Sequence, residues 1–284
     1  MSEAMSAEST HPESNLPAGL IGSVSRARPR WDTQAGRVIV AAVPFVALVG
    51  LWLLLSAYRP AGWQFAVPKF GPTMDALKSD LFVSGSAWPA VRVTFEEAAL
   101  GLLIAAIPAI ALAVLMGLSP LVEIILYPIV VLLQAIPKVA FAPILLLVFG
   151  YGISSKIALA VMVAFFPVLV NAVTGMRAAR LDEIDLLRSM QGSAWQIFTK
   201  VRVRRAIPSI FAGLQVGFVF ALLGAVFGEF VGGTAGLGTV ISIRSAQLDI
   251  PGVFSGIIEI SVLGVVASLI LRLVGSRISN WQES

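Results

Sequence analysis

Residues 176–208 read MRAARLDEIDLLRSMQGSAWQIFTKVRVRRAIP, a polar and basic stretch that lies between two long apolar stretches of the chain. Its hydrophobic residues recur three or four positions apart, which is typical of amphipathic helices. Gly192 divides the stretch into two short segments, so the pattern predicts a helical hairpin outside the membrane. This hairpin is the part of the chain best suited to contact another protein.

The composition of the whole chain indicates a membrane protein with several spans. Of its 284 residues, 57% are hydrophobic and 13% are charged, whereas charged residues make up about 25% of an ordinary soluble domain. The chain has no cysteine, and its one histidine, His11, lies in the polar N-terminal segment. Disulfides, thiolate chemistry and histidine chemistry within the membrane are therefore excluded. The sequence indicates no metal site, no cofactor and no catalytic residue.

Apolar stretches of about 20 residues predict six membrane-spanning helices. The third stretch is long and is predicted to bend at Pro137, because proline removes a backbone donor and clashes with the preceding helical turn. Pro128 and Pro143 interrupt the same stretch. The predicted spans are Val38–Ala57, Phe95–Leu118, Leu121–Phe149, Ser155–Gly175, Ser209–Val231 and Gly252–Val274. The expected fold is an all-α membrane protein.

The basic residues predict which side of the membrane each loop faces. With the N-terminus inside, 13 Lys and Arg residues lie beyond or near the cytoplasmic ends of the spans and 6 lie beyond or near the outer ends, as the positive-inside rule requires. Both termini and the hairpin are then cytoplasmic in a bacterial inner or plasma membrane. This bias also explains the net charge of +4 without a nucleic-acid partner. The predicted organisation is a disordered tail over 1–36, a transmembrane domain over 37–276 that includes the loop 176–208, and a short tail over 277–284.

Several residues of the hairpin fit the ends of helices. Asp182 is placed to cap the first helix, with Asp185 three residues further on. Gly192 is placed to end that helix in the left-handed conformation. Ser193 and Gln196 have the spacing of a capping box, which predicts the start of the second helix.

Apolar side chains give the hairpin a surface for a partner. Trp195, Phe198 and Val201 stand three apart and are expected to form one stripe, while Leu187 and Met190 share a face of the first helix. Such a pair of short helices suits a groove on another protein. The alternative is a surface loop whose apolar face packs against its own helix ends.

Together, segments between Tyr127 and Gly238 resemble the permease subunits of bacterial ABC importers, in the nitrate, sulfonate and taurine branch of the binding-protein-dependent family. The resemblance covers the proline-rich third span, the next span, the cytoplasmic coupling loop and the far end of the fifth span, at Tyr127–Gly152, Ser155–Met176, Leu186–Leu214 and Gly224–Gly238. Where the family has Glu-Ala-Ala and then glycine, this chain has Asp185-Leu186-Leu187 and then Gln191. Where a first proline is common it has Arg204, and the second proline is retained as Pro208.

The resemblance implies a transport function and a set of partners. The chain would be the permease subunit of an ATP-driven importer for a small solute, such as a sulfonate, nitrate or a vitamin precursor, and not an enzyme. A cytoplasmic ATPase dimer would dock on two permease subunits, identical or closely related, and an extracytoplasmic binding protein would deliver the solute. The residues expected to couple to the ATPase are Asp185, Leu187, Gly192, Ser193, Trp195, Phe198, Val201 and Pro208.

Polar and ionisable residues within the spans are candidates for the translocation path. An ionised group costs about 2.5–3.5 kcal/mol at the centre of a bilayer unless it faces a cavity or a partner. The candidates for the path or its outer gate are Gln134, Pro137, Lys138, Asn171, Glu229 and Glu259. The alternative for the charged ones is an ion pair of Lys138 with Glu229 or Glu259 that only holds helices together.

Glu96 and Glu97 belong to a closer literal match to Glu-Ala-Ala than the hairpin does. They lie at the outer end of the second span, however, where a cytoplasmic partner would not reach them. We expect both to cap the N-terminus of that helix at the membrane surface, where negative charge is favoured.

Two other classes of function are compatible with a helical membrane protein. A secondary transporter or channel with a cytoplasmic interaction loop would carry coupling charges in mid-membrane and often an inverted repeat, and no such repeat is evident. An intramembrane enzyme would need clustered catalytic side chains, which the sequence lacks. Residues 150–156 also lack the Gly-Lys-Ser/Thr ending of a phosphate-binding loop, so energy for transport is expected to come from a partner.

Overall fold

The structure is a computed structural model that describes residues 34–58 and 67–279. Helix is the only regular secondary structure in those two ranges, which confirms the all-α prediction. The α-helices are α1 (Gln34–Tyr58), α2 (Phe70–Lys78), α3 (Ala87–Leu118), α4 (Pro120–Ala135), α5 (Ala142–Phe149), α6 (Ile153–Arg177), α7 (Leu181–Ser189), α8 (Ala194–Ile197), α9 (Val203–Gly232), α10 (Leu237–Ala246) and α11 (Ile250–Ser279). The predicted tails over 1–36 and 277–284 lie mostly outside the described residues.

Three short helical segments extend or connect these elements. A π-helical turn over Ser79–Val83 continues α2, and another over Phe198–Arg202 joins α8 to α9. A 3-10 turn over Lys138–Phe141 leads into α5. Because of the second π turn, α8 and α9 form one continuous helical stretch.

Four helical stretches among the described residues are long and apolar enough to cross a bilayer: Ala87–Leu118, Ile153–Arg177, Ala194–Gly232 and Ile250–Ile278. The bent pair α4 and α5 makes a fifth. These five fall on predicted spans. The first predicted span lies in α1 (Gln34–Tyr58), and Val46–Tyr58 is its apolar part among the residues whose side chains are described.

The third predicted span breaks at Pro137, as expected. Pro120–Ala135 and Lys138–Phe149 meet at an angle of 71°. Ile136 has an extended backbone (φ −68°, ψ 130°), because the proline ring disfavours the helical conformation in the residue before it. Pro128 remains inside α4 and Pro143 lies in the first turn of α5, so neither of them breaks the helix.

The core of the bundle is formed by α3, α6 and α9, and α6 packs closely along α9. Four glycines of α9 allow this approach, and a Cβ at any of them would lie 2.6–2.9 Å from an atom of α6. They form two G-x-x-x-G pairs: Gly213 with Gly217, and Gly224 with Gly228. Small residues with this spacing let membrane helices pack backbone to backbone. The α6–α9 pair is therefore a tight unit in the bundle.

The connections give the bundle two distinct ends. α7 and α8 connect the C-terminus of α6 to α9, and the C-terminus of α3 lies there too, since a Cβ at Gly117 would touch Met176 and Phe198. We call this the hairpin end. The N-terminal part of α3, the C-terminus of α9, and α10 meet at the opposite end, which we call the far end.

Candidate functional site

The first helix of the hairpin begins two residues earlier than predicted. α7 starts at Leu181 after Arg180, so Asp182 lies inside the first turn and does not cap the helix. Glu183 follows it in the same turn. Both carboxylates are favourably placed there, because the N-terminal end of a helix carries a partial positive charge.

The turn between α7 and α8 differs from the prediction in one residue. Gln191, not Gly192, is left-handed (φ 57°). The amide of Gln191 donates to the carbonyl oxygen of Arg188 (2.9 Å) and that of Gly192 to the carbonyl oxygen of Leu187 (2.8 Å), which are the two bonds of a Schellman motif. The left-handed position coincides with the one where the importer family has its glycine. Gly192 is required for space instead, since its Cβ would lie 2.8 Å from the carbonyl oxygen of Leu187.

The start of α8 confirms the predicted capping box. Ser193 Oγ accepts a hydrogen bond from the amide of Gln196 (3.3 Å), and Gln196 Oε1 accepts one from the amide of Ser193 (2.8 Å). Two backbone donors that have no partner within the helix are satisfied in this way.

The predicted apolar stripe is divided between the surface and the core. Trp195 is 63% exposed, whereas Phe198 and Val201 are 5% and 6% exposed. Phe198 packs in a buried cluster with Met176 and Ala206. The expectation of one exposed stripe is therefore wrong, because residues 198–202 continue directly into α9 and are covered by the helices that meet there.

A different set of apolar side chains is exposed on the hairpin. Leu186 and Met190 of α7 are 63% and 71% exposed, and Trp195 stands on the other side of the turn. We call these three residues the apolar knob. The rings of Trp195 and Phe198 are stacked, with centroids 5.9 Å apart, so the buried ring supports the exposed one.

The remaining residues expected to couple to an ATPase lie in α7 and near the start of α9. Asp185 is exposed and accepts a hydrogen bond from Arg188 Nη1 at Oδ1 (3.4 Å). Leu187 is half-buried and, together with Val201 and Lys200, lines a cavity of about 320 Å³. Pro208 lies within α9, near its start.

Arginine side chains connect the hairpin end to the membrane helices. Arg202 Nη1 donates to the carbonyl oxygen of Gly117 at the end of α3. Arg177 pairs with Glu123 of α4, and its guanidinium lies 4.7 Å from the ring centre of Tyr127. Displacement of the hairpin would therefore act on both α3 and α4.

A further arginine holds α7 against the start of α9. Arg205 of α9 donates two hydrogen bonds to the carboxylate of Glu183. These bonds hold the pKa of Glu183 below its usual value, because they favour the charged form. The sequence pattern did not single out either residue.

Lys138, one of the candidates for the path, lies at the helix break. Its ammonium donates to the carbonyl oxygens of Gln134 (2.6 Å) and Ile136 (3.3 Å), in the last turn of α4, where helical carbonyls lack intrahelical partners. It also lies 4.5 Å from the centre of the Phe166 ring. Among the described residues Lys138 pairs with neither Glu229 nor Glu259, so the ion pair considered as the alternative is not formed.

Asn171 lies on α6 away from that break. Its Nδ2 donates to the carbonyl oxygen of Pro167 (2.8 Å), and its Cβ faces Gly213 of α9. The break residues and Asn171 thus belong to different helices, and the two glutamates among the candidates lie elsewhere again, at the far end.

Glu229 is enclosed at the far end and is 1% exposed. Its Oε1 accepts a hydrogen bond from Thr94 Oγ1 of α3 (2.7 Å), and its Oε2 accepts one from the amide of Gly238 at the start of α10. Thr94 Oγ1 in turn accepts a bond from the amide of Leu237 (2.8 Å). Three helices are therefore joined through one buried carboxylate.

Glu97 lies beside Glu229 and is also 1% exposed. The expectation that it caps a helix at the membrane surface is wrong, because α3 begins at Ala87, nearly three turns earlier. Glu96 is exposed, but it pairs with Arg92 one turn before it (2.7 Å) instead of capping the helix. Of the two glutamates in the closer match to Glu-Ala-Ala, Glu97 thus lies in the core.

A second polar cluster at the far end includes Glu259. Arg244 of α10 donates two hydrogen bonds of 2.7 Å to the carboxylate of Asp80. Ser255 Oγ of α11 lies 3.0 Å from Asp80 Oδ2 and 3.2 Å from Glu259 Oε1. Burial opposes the charge of Asp80, but the bonds from Arg244 and Ser255 outweigh it, and the pKa of Asp80 is lowered.

A groove of about 500 Å³ runs between α9 and α11. Its walls are mostly apolar, and its polar side chains are Gln215, Ser261, Ser268 and Arg272. None of these residues was a sequence candidate. Ser261, Ser268 and Arg272 lie seven and four positions apart along α11, which places them on one helix face and is the signal that would have identified them.

A helical membrane domain with an exposed hairpin between two closely packed spans is typical of membrane transport subunits. Comparison with known families agrees with that class: residues 101–280 match the model of the binding-protein-dependent transport system inner membrane component. The chain belongs to this family of ABC transporter permeases and is a multi-pass inner membrane protein.

Characterised relatives cover most of the chain. Formylaminopyrimidine transport permease protein ThiX of Halalkalibacterium halodurans is 34% identical over 239 residues, which are 84% of this chain and 94% of that protein. Taurine transport system permease protein TauC of Escherichia coli is 27% identical over 262 residues, 89% of this chain and 94% of TauC. Among solved structures, one chain of the inward-facing MetNI methionine ABC transporter has a TM-score of 0.49 and 19% identity, covering 68% of this chain and 93% of that one. The relatives confirm the predicted nitrate, sulfonate and taurine branch, which also includes the nitrate import permease NrtB of Leptolyngbya laminosa.

Proposed function

We propose that this chain is the membrane-spanning subunit of an ATP-driven importer and that its hairpin docks on a cytoplasmic ATPase. The observation that carries the proposal is the apolar knob. Leu186, Met190 and Trp195 stand exposed on either side of the turn of the hairpin, whose other exposed side chains are mostly polar. An exposed apolar cluster with a polar surround is typical of a protein interaction site.

The hairpin is also connected so that force on it reaches the membrane helices. It leads directly into the tight α6–α9 pair, and Arg177 and Arg202 connect it to α4 and α3. ATP-driven approach of two ATPases would thus displace α3, α4, α6 and α9 together. The ATPase-coupling set remains Asp185, Leu187, Gly192, Ser193, Trp195, Phe198, Val201 and Pro208, with Phe198 and Val201 acting from the core.

The complete importer in this proposal has two permease subunits, identical or closely related, within a permease domain over 37–276. An extracytoplasmic binding protein delivers a small solute, such as a sulfonate, nitrate or a vitamin precursor, as the names of the relatives suggest. Both termini and the coupling loop 176–208 face the cytoplasm, with six spans in total. The distribution of 13 of 19 basic residues supports this orientation.

The residues of the path fall into two groups in this proposal. Gln134, Pro137, Lys138 and Asn171 lie at or near the helix break and on α6, where they would contact the solute along its path. Glu229 and Glu259 are held in buried clusters at the far end, where they would act in the outer gate.

The docking proposal is tested by comparing two exposed tryptophans. Trp195→Ala removes the aromatic residue of the knob, and burial of such a side chain is worth about 1.5–3 kcal/mol, so we expect the affinity for the ATPase to fall about 10- to 150-fold. Trp88→Ala is the matched control, since Trp88 is 58% exposed at the far end. The measurement is the binding of the ATPase that co-purifies with the wild-type chain, together with ATP turnover in liposomes. Equal binding by both variants and the wild type would show that the knob is not a docking site.

A further inference from the structure

The far end holds two glutamates in direct contact inside the bundle. Glu97 of α3 and Glu229 of α9 lie within hydrogen-bonding reach of one another, and each is 1% exposed. Two ionised carboxylates so close together would repel each other without water to screen them. The arrangement therefore needs a positive charge between them, and the smallest is a proton.

The hydrogen bonds around Glu229 are those of an ionised carboxylate. Both of its oxygens accept bonds, from Thr94 Oγ1 and from the amide of Gly238. The turn before α10 closes tightly on it: a Cβ at Gly236 (φ 104°) would lie 2.1 Å from Glu229 Oε1. The backbone is thus shaped to enclose this carboxylate and to supply donors to it.

Glu97 shows the opposite pattern. Its Oε2 is buried, and no donor for it exists among the described residues. A buried acceptor without a donor is costly, whereas a protonated oxygen would itself donate to Glu229, which can accept a further bond. Glu97 as a carboxylic acid accounts for the unpartnered atom and for the contact of the two side chains.

The charges that surround the pair are few. Lys156 of α6 is the described cation that faces it, with its ammonium donating to the carbonyl oxygens of Tyr151 (3.1 Å) and Gly152 (3.3 Å). α5 has no titratable side chain, and α10 has only Arg244, which is bound to Asp80. On α11, Glu259 faces Ser255 and Asp80. When Glu97 is protonated, it is neutral. The negative charge of Glu229 and the positive charge of Lys156 then cancel, so the cluster is neutral.

We propose that Glu97 and Glu229 form a proton-binding site and that the proton they share latches α3 to the turn between α9 and α10. Loss of the proton places two negative charges between the helices and releases the latch. The site goes beyond the proposed transport function, which requires no proton. It does not depend on how the hairpin meets an ATPase.

Infrared spectroscopy of the purified full-length chain in lipid nanodiscs tests the site directly. The C=O stretch of a protonated carboxyl is separate from the bands of carboxylates. At neutral pH we expect such a band in the wild type, its loss in Glu97→Gln and its retention in Glu96→Gln, which changes the exposed neighbouring residue. Absence of the band from the wild type, or its full retention in Glu97→Gln, would overturn the proposal.

Thermal unfolding across pH separates a shared proton from a merely structural contact. As pH rises from neutral to alkaline, the wild type loses the proton, so its unfolding temperature should fall by at least about 2 °C. Glu97→Gln, whose amide donates without a proton to lose, should fold at neutral pH and lack this extra alkaline decrease. Glu96→Gln should follow the wild type. If the unfolding temperature of Glu97→Gln shows the same alkaline decrease as that of the wild type, a shared proton does not hold α3 to the turn between α9 and α10.

Discussion

The two ends of the bundle are held together in different ways. At the hairpin end the contacts are partly exposed arginine pairs, such as Arg177 with Glu123, and the apolar knob has no cover among the described residues. At the far end the polar contacts are buried: Thr94 with Glu229, and Arg244 with Asp80. Exposed ion pairs contribute about 0–1 kcal/mol, whereas removing one partner of a buried pair costs about 3–5 kcal/mol.

Because of this difference, the two ends are expected to respond differently to an applied force. The contacts at the hairpin end can be exchanged at little cost, whereas separation of the helices at the far end requires a buried contact to be broken. The closely packed α6–α9 pair extends from one end to the other. A push on the hairpin would therefore reach the far end through a unit that does not deform easily.

The largest effect expected from one substitution is at the far end, in Asp80→Asn. It removes the charge that pairs with Arg244, whose side chain is mostly buried, and we expect a loss of about 3–5 kcal/mol in the free energy of unfolding. Asp75→Asn is the matched control, because Asp75 is exposed in the helix that precedes Asp80. Chemical denaturation of the purified chain measures both. A loss below 1 kcal/mol in Asp80→Asn would mean that the far end is no more firmly held than the hairpin end.

The same pair gives the far end an acid dependence. Because the pKa of Asp80 is lowered in the folded chain, its stabilisation is complete above the usual aspartate pKa of about 3.9 and is lost as pH falls below it. The acid decrease in stability should be smaller in Asp80→Asn than in the wild type.

A smaller effect is expected in the turn of the hairpin, from Gly192→Ala. The added Cβ would meet the carbonyl oxygen of Leu187 at 2.8 Å, so the turn must shift, at a cost of about 1–3 kcal/mol. Gly71→Ala is the control, since a Cβ there has nothing within 4 Å. Amide hydrogen exchange over residues 181–202 should rise in Gly192→Ala alone. Unchanged exchange in that segment would mean that the turn has room for a side chain.

The smallest effect is a gain in stability. Gln191 and Leu248, one at each end, are the described non-glycine residues with positive φ (57° and 59°), a conformation that costs most residues about 1 kcal/mol and glycine very little. Gln191→Gly and Leu248→Gly should each stabilise their turn by about 0.5–1 kcal/mol. Denaturation midpoints measure the gain. A loss of stability in both variants would contradict the assigned backbone conformations.

The sequence was most informative where one residue acts through local geometry. Proline at 137 breaks its helix and Ser193 caps α8, since both effects depend on neighbours within one turn. It was less informative about which face of a helix is covered. The three-residue spacing of Trp195, Phe198 and Val201 gives a common face, but only the packing of α9 decides that two of them are buried.

Glu97, at the far end, is a second residue whose burial could not be predicted from the sequence. The apolar run of its span begins at Phe95, and the helix itself begins at Ala87 because the preceding residues, although partly polar, continue it. A charge that lies at the edge of an apolar run is thus well inside the helix. Its partner, Glu229, is 132 positions away in the chain, and no local pattern links the two.

In the proposed importer, the hairpin end faces the cytoplasm and the far end faces outward. The chain has no cysteine, so single cysteines can be introduced at Ala194 on the hairpin and at Thr234 in the far-end turn, both exposed. Intact cells are treated with a membrane-impermeant maleimide, and broken cells serve as the control for reactivity. We expect Thr234→Cys to be labelled in intact cells and Ala194→Cys to be labelled only in broken cells. Labelling of Ala194→Cys from outside, with Thr234→Cys protected, would contradict this orientation.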